Sequence, residues 1–427
     1  MAQKSIYEAA AKQLIASELP KYYPEWKYHN KLFVVDYSTD IEKILEKNPW
    51  VKREKVVVKP DQLFGKRGKA NLILLNAGYD EMRQFCIDKL NNYYNIGNLN
   101  GKLERLLVEP FIPHDKEYYV SFTTDREGDT IHFSLEGGIF IEENWDKVTH
   151  INIPIGTDLK SFDLKSKLPD LGSLGNIIIP FIKGLYQVFV NQDFTFLELN
   201  PFALTKNNEI VPLDVKARLD DTAAFLHADT WGNTIEFPAG FGQEFTDEEI
   251  KIKELGGKTG ASLKLRLLNP KGRVWTMVAG GGASVIYTDT IADLGFGDEL
   301  GNYGEYSGNP SQEHTEIYAQ TIIDLMCKHP TPKGKTKYLI IGGGIANFTD
   351  VRATFIGITN AIKKSAEKLK KAQVHIYVRR GGPNEQAGLE LMRQVGQQTG
   401  IPIEVFDRYT HMTHPVALIK KEEEGRK

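Results

Sequence analysis

Three groups of residues in this 427-residue sequence are of the types that handle cations, phosphates and carboxylates. In FTFLELNPFAL, residues 194–204, strand alternation puts Glu198 and Asn200 on one face and Leu197 and Leu199 on the other. EIVPLDV follows after the polar turn TKNNE, and a hairpin centred on Asn207 sets Asn200 opposite Asp214. Two carboxylates and an amide are hard oxygen donors of the kind Mg²⁺ takes beside waters and phosphate oxygens. The same spacing also describes a surface hairpin with solvated polar residues. Upstream, Lys59 ends the run VVVKPD and is followed by the basic loop GKRGK, residues 65–69, whose glycines let backbone amides approach a phosphate. A solvated basic turn is the plainer reading of that loop. The run VEPFIPHDKEYYV, residues 108–120, adds two stiffening prolines and Glu117, a free carboxylate able to accept from ribose hydroxyls.

The third group consists of glycine-dense loops: Gly280-Gly281-Gly282-Ala283-Ser284, Gly342 to Asn347, and Arg379 to Asn384. Each follows a strand-like run, and in a parallel sheet all three lie at the carboxyl edge, where ligands bind. Helix N-termini and exposed amides there, Gly282, Ala283 and Ser284 among them, favour an anion. Asn347, Thr349 and Arg380 add side-chain donors suited to carboxylates, and NYGEYSGNPSQEH contributes Ser307 and Gly308. A small polycarboxylate suits this set better than a nucleotide, although glycines of this kind also make tight packing turns.

Motifs of other chemistries fail at particular positions. GGKT at residues 256–259 looks like the end of a P-loop, but its first glycine would fall on Ile252. GGGIAN from Gly342 puts Asn347 where a dinucleotide fingerprint needs its third glycine. His411 and His414 lack an acidic or cysteine partner at ligand spacing, which favours a structural role. No nucleophile arrangement of Ser/His/Asp or Cys/His type stands out, so phosphoryl chemistry is the stronger enzymatic expectation. Two cysteines, Cys86 and Cys327, are expected to be buried thiols and too few for a disulfide framework. A net charge of −3 gives no global pull toward nucleic acid or an anionic membrane, so any anion site must be local.

The elements that must hold these groups divide the chain. Residues 1–243 interleave short β-rich runs with a few helical stretches such as residues 80–92, an α+β pattern. Residues 262–427 repeat strand, Gly-rich loop and helix, which predicts a doubly wound parallel α/β sheet. Residues 244–261, rich in glycine, acidic residues and turn formers, read as a linker. Helical spacing of Ile6, Ala9, Ala10 and Leu14 predicts an N-terminal surface helix unlike a signal peptide, which makes a reducing cytoplasm the default location. The best apolar stretch, NIIIPFIKGLYQVFV, is broken by Pro180 and Lys183, so no membrane span is expected.

The motifs WTMVAGGGASVIYTDT, NYGEYSG, GGGIANFTDV and VRRGGPN, with VVKPDQLFGKRGK, EPFIPHD and ENWDKV upstream, resemble ATP-citrate lyase over essentially the whole chain. The likeness is to the N-terminal part of the animal enzyme, the short subunit of plant and bacterial lyases, and the large subunit of citryl-CoA synthetase. It implies an ATP-grasp domain related to the succinyl-CoA synthetase β-subunit, followed by a flavodoxin-like citrate-binding domain. By position, Lys59, Arg67 and Gly68 match the family's ATP-phosphate contacts, with Lys59 and Arg67 neutralising charge during transfer. Pro110, Ile112 and Glu117 match its nucleotide hinge and ribose contacts, and Asn200 and Asp214 its Mg²⁺ ligands. Ser307, Gly308, Asn347, Thr349 and Arg380 match its citrate contacts, while Ser365 stands where the animal enzyme carries a tyrosine near citrate. The implied reaction uses Mg-ATP to phosphorylate a histidine, passes that phosphate to citrate, and lets CoA displace it to give citryl-CoA. The histidine and the CoA site belong to regions outside this sequence, so the resemblance implies an α-like partner in a hetero-oligomer. A succinyl-CoA-synthetase-like ligase acting on another dicarboxylate, and a non-catalytic nucleotide- and carboxylate-binding scaffold, are the alternatives.

Overall fold

The computed structural model describes residues 3–425 apart from 66, 69, 139–140, 142, 160, 233 and 346–347, with the side chains of 258 and 259 also outside the description. The chain divides into two units, Met1–Glu244 and Phe245–Lys427.

Among the described residues, the first unit carries thirteen strands. They are β1 (Gln3–Ile6), β2 (Phe33–Asp36), β3 (Val56–Pro60), β4 (Leu74–Ala77), β5 (Tyr93–Ile96), β6 (Leu99–Lys102) and β7 (Arg105–Pro110). There follow β8 (Glu117–Thr124), β9 (Gly128–Ser134), β10 (Thr149–Pro154), β11 (Phe194–Leu204), β12 (Ile210–Pro212) and β13 (Val215–Asp220). Its helices are α1 (Glu8–Glu18), α2 (Ile41–Lys47), α3 (Tyr79–Lys89), α4 (Gly175–Asn191) and the single turn α5 (Ala228–Trp231). A sheet in the order β1-β13-β11-β8-β9-β10, with β12 added on β11, faces α1 and α4; a second sheet runs β2-β7-β3-β4.

The hairpin register follows the turn. Leu204 pairs with Ile210, Leu199 with Val215 and Phe196 with Arg218, all centred on Asn207, and the register shifts only at a bulge beyond Phe196. Leu197 and Leu199 are buried in the core while Glu198 and Asn200 face away, because side chains alternate across a strand. Gly172–Asn191, which includes α4, is the one helix among the described residues long and apolar enough to cross a membrane. Its Ile178, Phe181, Ile182, Leu185, Val188 and Phe189 are consumed by the core instead.

The N-terminal helix departs from expectation. α1 is a core element: Ala9, Ala11, Lys12, Leu14 and Ile15 are all buried. Its Glu8 and Lys12, one turn apart, are internal because they find charged partners on other elements.

The second unit holds α6 (Asp247–Thr259), β14 (Ser262–Leu267), β15 (Val274–Ala279), α7 (Gly281–Ile291), β16 (Asn302–Ser307) and α8 (Gln312–Lys328). It continues with β17 (Lys337–Gly343), α9 (Val351–Lys364), α10 (Ala366–Lys371), β18 (Val374–Arg379), α11 (Glu385–Thr399), β19 (Ile403–Phe406) and α12 (His414–Glu424). The sheet runs β14-β16-β15-β17-β18-β19. Counted from β15, the parallel strands fall in the order 2-1-3-4-5, the flavodoxin-like winding, and β14 is an added antiparallel edge.

The segment read as a linker holds α6. Thr246 caps it through the amide of Glu249, whose side chain returns to the Thr246 amide, and Ile252 is buried in the second unit's core. The acidic residues that suggested a loop are the helix's first turn, where they complement its dipole. Cys86 is buried as expected, whereas Cys327 is half-buried.

Candidate functional site

In the first unit, α1, β3, β7, the loop after β3 and the bend between β12 and β13 converge on one buried charge network. Lys59, on β3, faces away from the apolar residues Val56 and Val58 of its own strand. Its Nζ lies 2.6 Å from Glu8 Oε1 and 2.9 Å from Glu109 Oε1, and donates to the Leu213 carbonyl at 2.5 Å. Arg67 donates to Glu8 Oε2 at 2.8 Å, to the Pro60 carbonyl at 2.7 Å and to Asp214 Oδ1 at 3.0 Å. Burial alone would raise the Glu8 carboxyl, but Lys59, Lys12 and Arg67 outweigh it and hold the group well below the ordinary range. Burial would lower the Arg67 guanidinium, and Asp214 and Glu8 outweigh it in turn. Lys59 and Arg67 therefore share one site with Asp214, 147 residues beyond Arg67, and Gly68 lies exposed beside Arg67.

Asn200 and Asp214 are joined through the backbone, the Asn200 amide donating to the Asp214 carbonyl at 3.0 Å. Asn200 Oδ1 accepts from the Gly138 amide at 2.8 Å. Asp214 sits one-third exposed at the bend between β12 and β13, with Oδ1 on Arg67. An amide oxygen and a carboxylate fixed side by side next to two cations fit a hard divalent ion that also meets phosphate oxygens. On the same face as Asn200, Glu198 pairs with Lys216 at 3.0 Å and accepts from the Tyr119 hydroxyl at 3.3 Å.

Pro110, Ile112 and Glu117 all lie at or near the connection from β7 to β8. Glu117 is not the free carboxylate expected: its Oε1 lies 3.1 Å from His114 Nε2, and His114 Nδ1 donates to the Ile112 carbonyl at 2.7 Å. The sequence reading also missed Glu8, Lys12 and Glu109. The i,i+4 Glu/Lys pair of EAAAK was the available signal, but it also describes a solvated helix face.

In the second unit, the loops after β15, β16, β17 and β18 share the carboxyl edge, since those four strands are parallel. Gly280, at φ 99°, makes the turn from β15 into α7, a conformation that favours glycine. Gly282 is exposed and Ala283 half-buried in that first turn. Ser284 is not: it is fully buried and its hydroxyl donates to the Gly304 carbonyl at 2.6 Å, so its side chain serves packing between α7 and β16. A Cβ on Gly281 would lie 2.6 Å from Glu305 Oε2, which places a carboxylate that the sequence reading passed over at the start of α7. Ser307 is half-buried and Gly308 exposed at φ 72°. Thr349 is buried just before α9, and Asn347 lies outside the described residues.

Arg380 is fully buried rather than presented at the surface. Its Nη1 donates to the Gly344 carbonyl at 2.9 Å and the Gly381 carbonyl at 2.5 Å, while Nε and Nη2 have no hydrogen-bond partner among the described residues. The hydroxyls of Tyr287 and Tyr306 are buried nearby, Tyr306 against the Arg380 side chain and Tyr287 against the Gly343 backbone. Burial raises both phenols; at Tyr287 the charge of Arg379, then the Gly343 backbone and Arg380, oppose the rise, and at Tyr306 Arg380 opposes it by charge and hydrogen bond. A buried guanidinium with no carboxylate partner among the described residues favours an anionic acceptor. Ser365 is displaced from this edge: it caps the far end of the 14-residue α9, about 20 Å along the helix, and accepts from Gln320 at 2.9 Å. It cannot shape a carboxylate shell at the loops.

The two folds define a two-domain protein, an ATP-grasp unit followed by a flavodoxin-like unit. Residues 2–231 match the family described as the ATP-citrate synthase ATP-grasp domain, and residues 243–420 the ATP citrate lyase citrate-binding family. The chain belongs to the ATP-citrate synthase family. It is 47% identical over 418 residues to "ATP-citrate synthase alpha chain protein 2" of Oryza sativa subsp. japonica, covering 97% of each chain. It is 46% identical over 387 residues to the ATP-citrate synthase of Homo sapiens, of which it spans 35%. The solved ATP citrate lyase of Methanothrix soehngenii in complex with citrate and coenzyme A superposes with a TM-score of 0.91 at 45% identity, over 99% of this chain and 100% of that one.

Proposed function

We propose that this chain is the ATP- and citrate-binding subunit of an ATP-citrate lyase or citryl-CoA synthetase, working with an α-like subunit in a hetero-oligomer. The observation that carries the reading is the linkage of Lys59, Arg67 and Asp214 in one network beside Asn200. In this reading the nucleotide phosphates exchange into the partners of Lys59 and Arg67, which neutralise charge as the γ-phosphoryl group leaves ADP for a histidine of the partner. Asn200 and Asp214 would hold Mg²⁺, whose positive charge would offset that of the phosphates. The phosphoryl group then passes to a citrate carboxylate, and the thiol of CoA, held mainly by the partner, displaces phosphate to form citryl-CoA. Arg380, buried by the Gly-rich loops with no carboxylate partner among the described residues, receives a citrate carboxylate once the carbonyls of Gly344 and Gly381 yield.

Ligand stabilisation of the full chain tests the proposal. Saturating citrate and Mg-ATP should each raise the melting temperature, with about 2.7 kcal/mol gained at a hundredfold excess over Kd, and succinate should not. A succinate response without a citrate response would replace the substrate assignment.

A further inference from the structure

Two lysines in the first unit share one set of partners. Lys12 Nζ, with no exposed surface, lies 2.6 Å from Glu109 Oε2 and 3.1 Å from Glu8 Oε1, and donates to the Leu213 carbonyl at 3.0 Å. These are the residues that also surround Lys59. Lys59, Glu8, Lys12 and Glu109 thus form a closed ring of alternating charge, with Arg67 on the second oxygen of Glu8. An ammonium has three N–H donors. Lys59 is hydrogen-bonded to the Leu213 carbonyl and ion-paired with carboxylate oxygens of Glu8 and Glu109 at 2.6 and 2.9 Å, so a nucleotide phosphate reaches it by displacing one of these partners.

The group to be given up is a carboxylate, replaced anion for anion. A buried carboxylate released without another cation is strongly unfavourable. Lys12 already touches both glutamates, and burial, which would lower its ammonium, is outweighed by Glu109 and Glu8. Lys12 therefore stays charged.

We infer that Lys12 is a positioning residue, the resident counter-cation that holds Glu8 and Glu109 when Lys59 turns to the nucleotide phosphates. It sets affinity for the phosphates without touching them. The inference rests on reading Lys59 as a phosphate contact. A lysine that merely clamps α1 to the β2-β7-β3-β4 sheet would alter stability but not discriminate between ligands with and without phosphates.

The test is isothermal titration of the full chain with Mg-ATP and with adenosine, on the parent protein and on Lys12→Met, Lys12→Met/Glu109→Gln and Glu109→Gln. Lys12→Met should weaken Mg-ATP at least tenfold and leave adenosine within twofold. The double variant should recover most of that loss, because the carboxylate left unpaired is gone. Equal weakening of both ligands, unchanged Mg-ATP binding, or no recovery in the double variant would overturn the inference. If Lys12→Met does not fold, Glu109→Gln decides: removing a competitor for Lys59 should tighten Mg-ATP relative to adenosine, and an unchanged or weaker affinity overturns the proposal. A parent protein that binds Mg-ATP no more tightly than adenosine would remove the phosphate role of Lys59 itself, and the inference with it.

Discussion

The amide of Asn200 donates to the carbonyl of Asp214 at 3.0 Å. That single ladder bond sets the two candidate metal ligands side by side, and the turn centred on Asn207 fixes it. Their other contacts come from elsewhere: Gly138 on Asn200 and Arg67 on Asp214.

Arg67 ties this pair to the rest of the network, so Arg67→Ala strips a partner from Glu8, Asp214 and the Pro60 carbonyl at once. Breaking a buried pair from one side is expected to lower stability by about 3–5 kcal/mol. Urea unfolding at neutral pH measures this, and a loss below about 1 kcal/mol would mean the network relaxes around the gap. Mg-ATP should also cease to stabilise the variant.

Arg380→Ala should abolish stabilisation by citrate and leave that by Mg-ATP intact. Arg380→Lys should recover little, since an ammonium cannot make the paired, planar contact of a guanidinium. Melting shifts with each ligand distinguish the outcomes. Retained citrate protection in both variants would move the carboxylate site to other residues.

Gly342 lies against a ring with nowhere to go. A Cβ there would stand 2.5 Å from the Tyr287 ring, which is fully buried. Gly342→Ala is expected to lower stability by about 1–3 kcal/mol through overpacking. Because Tyr287 neighbours Arg380, citrate protection should fall as well; calorimetric melting with and without citrate separates the two effects.

His132 supplies a pH dependence. Burial, and then the neighbouring His150, push it from 6.5 down to about 4. The neutral form fits its contacts, with Thr123 at 3.0 Å from Nε2 and His150 Nδ1 at 2.7 Å from Nδ1. The unfolded chain takes up the proton near pH 6.5 and the folded chain resists until about 4. This contribution is therefore present above pH 6.5 and lost as pH falls toward 4. Allowing for solvent screening, His132→Gln should retain about 1 kcal/mol more of its stability than the parent between pH 7 and pH 4.5. Urea midpoints at the two pH values test it, and parallel losses would refute it.

What the sequence determined by itself is local. The turn TKNNE fixed which residues of β11 and its successors pair, because register follows from turn position and alternation alone. Strand, Gly-rich loop and helix repeats placed the candidate carboxylate loops at one sheet edge, because parallel strands end together. Helix α6 escaped notice because glycine and acidic residues describe a loop and a capped first turn equally well. Tertiary structure alone decided which charges are internal. Lys12 meets Glu109 across 97 residues and Leu213 across 201, and Arg67 meets Asp214 across 147. A Glu/Lys pair one helical turn apart looks the same in water as in a core. Only the arrival of opposite charges from distant elements offsets its desolvation and makes burial stable.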